Sequence, residues 1–383
     1  MSDFIPFNKI FKGSEEQEAI LDALDAGCWH GDGPASKRVE SFLCHWLGIR
    51  HAFLTTSCTH ALEMAMMTLE ITNGDEVIMP SFTFVSTANA VRMRGGRPVF
   101  AEIRSSDLTI DPDDVAAKIT PVTKAVIPIH YAGISADFDG IWRAIDGRDI
   151  SIVEDAAQAV GAYWNDRALG TIGDIGCFSF HDTKNITCGE GGALLTNRSE
   201  LAEKAEWIRE KGTNRSAFLR GEIDKYTWVS QGSSYIPSDL LAALLEAQLH
   251  KKDFILDARK AVWHAYLSRL SEARDKGWII LPELPSYACN NYHIFHFHVQ
   301  DPALRDPLIA RLKEAGIGAT FHYVPLHNAP YAKKILGEGI QLPQTEHLAN
   351  TLVRLPLYPD LKDICHDVAD RVYSVISNYF RSA

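Results

Sequence analysis

The sequence predicts an α/β fold in two parts. Residues 1–250 are expected to form a large domain on a mostly parallel central sheet flanked by helices, and residues 251–383 a smaller C-terminal α+β domain. Three observations predict this. The chain has 383 residues, more than one compact core usually serves, so a second, smaller unit is expected. From residue 52 onward, short β-branched runs alternate with helical patterns, the order of a sheet covered by helices on its faces. Around residues 201–260 the alternation gives way to mainly helical spacing, where a long helix can join two domains.

The elements follow in order. "AFLTT", "DEVIMP", "RPVFAEI", "KAVIPIHY", "ISIVEDAA", "IGCFSFH" and "GGALLTN" are short continuous apolar runs, the pattern of strands buried on both faces. "THALEMAMMTLEI" has the spacing of an amphipathic helix. "SELAEKAEWIREKG" and "SDLLAALLEAQLHKKDFILDARKAVWHAYLSRL" read as helices. Beyond them, "NNYHIFHFHV" reads as strand, and "DPLIARLKEAGI" and "TEHLANTLVRL" read as helix.

Composition narrows the function classes. Apolar residues are 46% and charged residues 23%, near the globular average, so a folded protein without disordered tracts is expected. Lys and Arg total 38 against 49 Asp and Glu, a net charge of -11. That balance argues against a general nucleic-acid or anionic-membrane surface, which needs clustered cations. "MSDFIPFNKIFKG" has no basic start followed by an apolar stretch, and no run approaches a membrane span, so a cytoplasmic protein is expected. Seven cysteines are scattered without a CxxC pair; reduced thiols are expected, and no metal.

The residues that carry chemistry cluster at strand ends. Asp155 closes the apolar strand in "SIVEDAAQAVGA", at the edge where α/β sheets present binding groups. A buried carboxylate needs a cationic or hydrogen-bonding partner, though Asp155 alone reads equally well as a helix N-cap. Lys184 lies in "CFSFHDTKNITCGEGGALL", between a strand and a glycine cluster. A lone lysine is ordinarily a solvated surface residue. A strand and a tight turn can instead direct its amine into a site, and an amine facing a strand-end carboxylate suits pyridoxal phosphate. Ser57, Cys58 and Thr59 open the next helix, either as a phosphate cradle or as a plain cap. Phe82 and Phe84 offer an aromatic face or ordinary core.

Taken in this order, "TTSCTHALEMA", "DEVIMPSFTFVSTANA", "IPIHYAG", "VEDAAQAVGA", "CFSFHDTKNITCGEGGAL" and "FHYVPLH" resemble the sugar-nucleotide aminotransferases of the DegT and StrS type. The likeness runs through nearly the whole chain. Within that family, "IREKGTNRSAFLRGEIDKYTWVSQGSSYIPSDLLAALLEAQL" is most similar to the branch that makes dTDP-4-amino-4,6-dideoxygalactose for enterobacterial common antigen.

The resemblance implies a fold-type I pyridoxal-phosphate transferase, a homodimer, and active sites shared between subunits. It implies that Lys184 bonds the cofactor covalently and shuttles the proton, that Asp155 pairs with the ring nitrogen, and that Gln158 lies near the ring oxygen. Ser57, Cys58, Thr59 and Ser179 would hold the phosphate, with Phe84 stacked on the ring. Ser233 and Ser234 would reach the phosphate from the partner subunit. Arg215, Arg220, Lys225, His322, Tyr323 and His327 are candidates for the nucleotide sugar, each open to a purely structural reading. His181 either tunes the lysine or caps its loop.

Two departures stand out: Cys58 replaces the glycine of many relatives, and Ile236 replaces an asparagine of some. The expected reaction is ping-pong transfer of an amine from L-glutamate to C4 of a dTDP-4-keto-6-deoxyhexose. Amination at C3, the other C4 epimer or another nucleotide sugar are alternatives. The dehydratase branch of the same fold replaces the lysine by histidine, so Lys184 counts against it. Lys184 and Asp155 together also count against a non-catalytic cofactor-binding regulator. "CGEGGALL" does not match G-x-G-x-x-G, which excludes a nicotinamide enzyme.

Overall fold

The computed structural model describes residues 4–382. Seven strands form the central sheet: β1 (His51–Thr55), β2 (Glu76–Pro80), β3 (Arg97–Ala101), β4 (Thr123–Val126), β5 (Ser151–Asp155), β6 (Ile175–Ser179) and β7 (Gly192–Thr196). These are the seven apolar runs seen in the sequence. Their order across the sheet is β1-β7-β6-β5-β4-β2-β3. All neighbours pair in parallel except β7, which runs antiparallel to both β1 and β6.

The sequence dictates this sheet through burial. Every residue of β2, β6 and β7 is buried, so their side chains meet helices on both faces. One face packs Val39, Leu43 and Leu245. The other packs the Cys58–Thr68 helix through Ala61, Leu62, Met64 and Ala65. Each large apolar side chain so buried contributes ~1.5–3 kcal/mol.

Because β1, β2, β4, β5 and β6 are parallel, their C-terminal ends meet at one edge of the sheet, where the following loops build a site. β7 begins at that edge, and a Cβ on Gly192 would lie 2.4 Å from the Ser57 carbonyl carbon and 2.5 Å from Cys58 N. Only glycine lets β7 approach the start of the Cys58–Thr68 helix so closely.

A second core involves the Lys252–Asp275 helix from Val262 onward, the strands Ile279–Ile280, Phe295–Val299 and Leu352–Leu355, and the Cys365–Ser382 helix. Ile5 belongs to this core too: its N–H donates to Gly316 O and its carbonyl accepts from Gly318 N, each at 2.9 Å. The first described residues therefore pack with the C-terminal layer.

Two local readings are corrected. "SDLLAALLEAQLHKKDFILDARKAVWHAYLSRL" forms two helices, Asp239–His250 and Lys252–Asp275, parted at Lys251 with φ -97 and ψ 6. In "TEHLANTLVRL" the helix Pro343–Thr351 ends at Thr351, and Leu352–Leu355 is a fully buried strand. Its pairing with Phe295–Val299 overrides the helical spacing. No helix among the described residues is long and apolar enough to cross a membrane.

Candidate active site

The strand ends converge on a cavity of about 370 Å³, within the range of small-molecule sites. Ser57, Cys58, Thr59, Phe84, Asp155, Gln158, Ser179, Lys184, His322 and Tyr323 all line it, as does His181. The site is thus assembled from the loops after β1, β2, β5 and β6 and from the C-terminal layer.

Lys184 sits in the connection between β6 and β7. That loop is tied internally by Asp182 N donating to Gly189 O (2.9 Å), Cys188 N to Phe180 O (3.0 Å) and Lys184 N to His181 O (2.9 Å). Its neighbour Asn185 donates to Asn291 O at 2.9 Å and meets His293 Nδ1 at 2.8 Å, so the loop is pinned to the C-terminal layer as well. Burial and the Arg354 charge hold the Lys184 amine below the usual lysine value, partly opposed by Cys58 and Asp155. An amine so depressed is available in its neutral, basic form at lower pH than a free lysine.

Asp155 is 6% exposed. Its Oδ2 accepts from Thr87 Oγ1 at 2.7 Å and its Oδ1 from Ala157 N at 3.2 Å, so the partner it required is a hydroxyl and a backbone amide. No cation lies within ion-pair distance among the described residues, and burial pushes its pKa up despite those bonds.

Gln158 is held at both ends. Its Oε1 accepts from Ala132 N at 2.7 Å and its Nε2 donates to the Tyr323 hydroxyl at 3.1 Å. The Tyr323 ring stacks on His322 at 4.1 Å, and burial pushes its phenol up to about 12.

Ser57 caps the Cys58–Thr68 helix through His60 N at 3.1 Å. It is both cap and cavity wall, so the two readings of this motif are compatible. The helix N-terminus brings unpaired N–H groups and a positive dipole end to the cavity. Thr59 Oγ1 meets Ser86 Oγ at 2.8 Å, and Ser179 is buried at the end of β6. Of the two phenylalanines, Phe82 is core, packed on Tyr131 and Tyr323, while Phe84 is 58% exposed at the cavity.

Several expected residues lie elsewhere. His327 is buried, bonded to Ser81 Oγ at 2.7 Å and Glu346 at 2.9 Å, and fastens the loop before the Pro330–Leu336 helix. Arg215, Arg220 and Lys225 are exposed. Arg220 bridges Glu206 and Glu222 and Arg215 is 3.7 Å from Glu210; none lines the cavity of its own chain. Ser233 and Ser234 are exposed and also outside that cavity. The reading of those two serines concerns a partner's site, which one chain does not contain.

Sequence reasoning missed Thr87, His293 and Arg354, all of which line the cavity. Nothing marks Thr87 within its helix. Arg354 was hidden because its segment was read as helix; as a strand, alternation would have separated it from the apolar Val353 and Leu355.

The residues fit pyridoxal phosphate. A buried carboxylate without a cation matches a protonated ring nitrogen, a lysine amine free of hydrogen bonds matches a carbonyl carbon, and a capped helix N-terminus matches a phosphate. Comparisons with known proteins agree. DesV of S. venezuelae is 32% identical with a TM-score of 0.87, over 98% of this chain and 99% of that one. Helicobacter pylori PseC, an aminotransferase involved in pseudoaminic acid biosynthesis, is 25% identical with a TM-score of 0.90 over the full length of both. Spr1654 of Streptococcus pneumoniae in its PMP-form is 25% identical with a TM-score of 0.89, over 99% of each chain. Residues 11–376 match the model of one family, and the chain belongs to it: the DegT/DnrJ/EryC1/StrS aminotransferase family.

Proposed function

We propose that this aminotransferase uses pyridoxal phosphate to move an amine from L-glutamate to C4 of dTDP-4-keto-6-deoxyglucose, giving dTDP-4-amino-4,6-dideoxygalactose for a cell-surface polysaccharide. The observation that carries the reaction type is the convergence of Lys184 and Asp155 in one cavity. The sugar nucleotide and the C4 outcome rest on the resemblance of residues 208–249.

Bound there, the cofactor supplies an electrophilic carbon and a ring that stores the electron pair released from the amino acid. Lys184 would hold it covalently, Ser57, Cys58, Thr59 and Ser179 its phosphate, Asp155 its ring nitrogen, and Gln158 its ring oxygen, with Phe84 beside the ring. The remaining work belongs to the chain. Once displaced, the neutral Lys184 amine takes the Cα proton of the amino acid at Nζ; in the reverse half it returns a proton to the sugar carbon that carries the new nitrogen. Thr87 fixes the Asp155 carboxylate so that its charge stays aimed at the cavity. Tyr323 holds Gln158 in place.

The homodimer with shared sites is part of this reading, since Ser233 and Ser234 can contribute only to a second copy. The test is product analysis with dTDP-4-keto-6-deoxyglucose and glutamate, resolving the C4 epimers by NMR. The galacto epimer of the 4-amino sugar is expected; a 3-amino product or no amino sugar would overturn the substrate assignment.

A further inference from the structure

The loop that carries Lys184 meets the C-terminal layer at a short knot, residues 290–293. Within it Tyr292 takes φ 55, the left-handed region that a bulky side chain enters only where its surroundings impose it. Tyr292 N donates to Asn290 Oδ1 at 2.7 Å and His293 N to Asn291 Oδ1 at 3.2 Å. Buried Arg259 donates to the Tyr292 and His293 carbonyls at 3.1 and 2.6 Å. The Asn291 amide donates to Gln158 O at 2.8 Å and Val160 O at 3.0 Å, so the knot also grips the loop after β5. Gly133 packs against it so closely that a Cβ there would lie 1.9 Å from Asn291 Oδ1.

The knot ends at the cavity. His293 is buried and lines it, and its Nδ1 lies 2.8 Å from Asn185 Oδ1. Asn185 Nδ2 donates to Asn291 O at 2.9 Å. A carbonyl only accepts, so the other end of Asn185 is its oxygen and the shared proton belongs to His293 Nδ1. Burial first, then the charges of Lys184, Arg259, Arg354 and His322, push the His293 pKa well down. The ring is therefore neutral and places no charge beside Lys184. What it supplies is one N–H, and that N–H holds the residue next to Lys184 in the chain.

We infer that His293 is a positioning residue for Lys184, seating the lysine loop through the Asn185 carboxamide so that the amine stays desolvated in the cavity. Burial is the first cause of the amine's depressed pKa. A loop released from the C-terminal layer would hydrate the amine and favour its charged, non-basic form. A displacement of about 1 Å at a reacting group can cost on the order of 10²-fold in rate, which gives a strained, heavily bonded knot its purpose here. That purpose rests on the aminotransferase reading, while the test reads the amine itself.

The test is the pH dependence of Lys184 reductive methylation in the cofactor-free protein, resolved residue by residue by mass spectrometry with the exposed lysines as internal reference. It compares wild type, His293→Leu, His293→Asn, Asn185→Ala and the variant carrying both His293→Leu and Asn185→Ala. In His293→Leu and in Asn185→Ala the Lys184 midpoint is expected to rise by about one pH unit as the amine gains water, with the reference lysines unmoved. His293→Asn, whose side-chain N–H can stand in for Nδ1, should stay close to wild type. The double variant should shift no further than Asn185→Ala, because both changes remove the same link. An unmoved midpoint in His293→Leu, or a shift that adds to that of Asn185→Ala, would overturn the assignment. Where His293→Leu does not fold, a shift in Asn185→Ala with none in His293→Asn supports it, and any other pattern overturns it. A glutamate half-reaction that fails while these shifts hold would sink the aminotransferase reading and leave His293 as the residue that seats Lys184.

Discussion

Arg209 and Arg354 are both buried, at 4% and 7% exposure, yet they sit in opposite electrostatic surroundings. Arg209 bonds Asp32 and Glu40; burial alone would lower its pKa, but the two carboxylates hold it above the ordinary arginine value. Arg354 has neither, and burial lowers it. Arg209 fastens the Pro34–Leu47 helix to β1, reaching the Leu54 carbonyl as well. One charge is neutralised by the fold and belongs to its architecture. The other is left for a ligand. Asp155 is the acidic counterpart of Arg354, a carboxylate lining the same cavity without a cation at ion-pair distance among the described residues, and the two uncompensated charges mark the site as clearly as its shape does.

The largest effect separates the site from the scaffold altogether. Lys184→Ala is expected to reduce amine transfer by ~10³-fold or more while circular-dichroism melts stay close to wild type, because the side chain makes no hydrogen bond among the described residues. Retained turnover would remove Lys184 from the chemistry.

Next comes the contrast between the two arginines. Arg209→Gln leaves the half-buried Asp32 and the buried Glu40 with only the exposed Lys37 as counter-ion and should cost ~3 kcal/mol of stability in denaturant titrations, with turnover per folded molecule unchanged. Arg354→Gln should cost far less stability and show its loss in turnover, because Arg354 lines the cavity. If both variants lost stability alike, the distinction between architectural and ligand-directed charge would collapse.

Asp155→Asn should lower kcat by ~10²-fold and yet stabilise the cofactor-free protein at neutral pH. The folded-state pKa of Asp155 lies above its unfolded value, so the folded chain holds this proton more tightly. Its contribution to stability is full below the unfolded pKa and is lost as pH rises through the folded one. Thermal melts of cofactor-free wild type and variant across pH should therefore diverge upward in pH, with the variant ahead.

The smallest effect is on Lys184 itself. Burial comes first among the causes of its depressed pKa and Arg354 adds to it, so Arg354→Gln should raise that pKa and move the onset of Lys184 reductive methylation to higher pH. Asp155→Asn should move it lower, because the carboxylate favours the charged amine. Shifts of the opposite sign would show that these groups do not face one another.

How much of this the sequence reveals depends on the physical signal each element carries. Buried parallel strands leave continuous apolar runs, so all seven strands of the main sheet were legible, and with them the strand-end position of Asp155; Ser179 was reached only through the family resemblance. Residues that act through spatial neighbours left no such trace. Thr87 reaches Asp155 across 68 positions of chain, and Ser81 makes His327 a structural bond across 246. Arg354 was obscured for a different reason: a short strand follows directly on a helix, and the apolar spacing of the pair mimics one longer helix. The break at Lys251 was invisible because both flanking segments favour helix.

That Lys184 and Asp155 make this cavity an amine-transfer site is tested most directly by a single half-reaction. Pyridoxal-phosphate-loaded wild type is mixed with L-glutamate in the absence of any sugar, and the absorbance of the bound cofactor and the 2-oxoglutarate released are followed together. Stoichiometric keto acid is expected, with a matching spectral change that dTDP-4-keto-6-deoxyglucose then reverses. An unchanged spectrum and no keto acid, with glutamate and with every other amino acid tried, would contradict it.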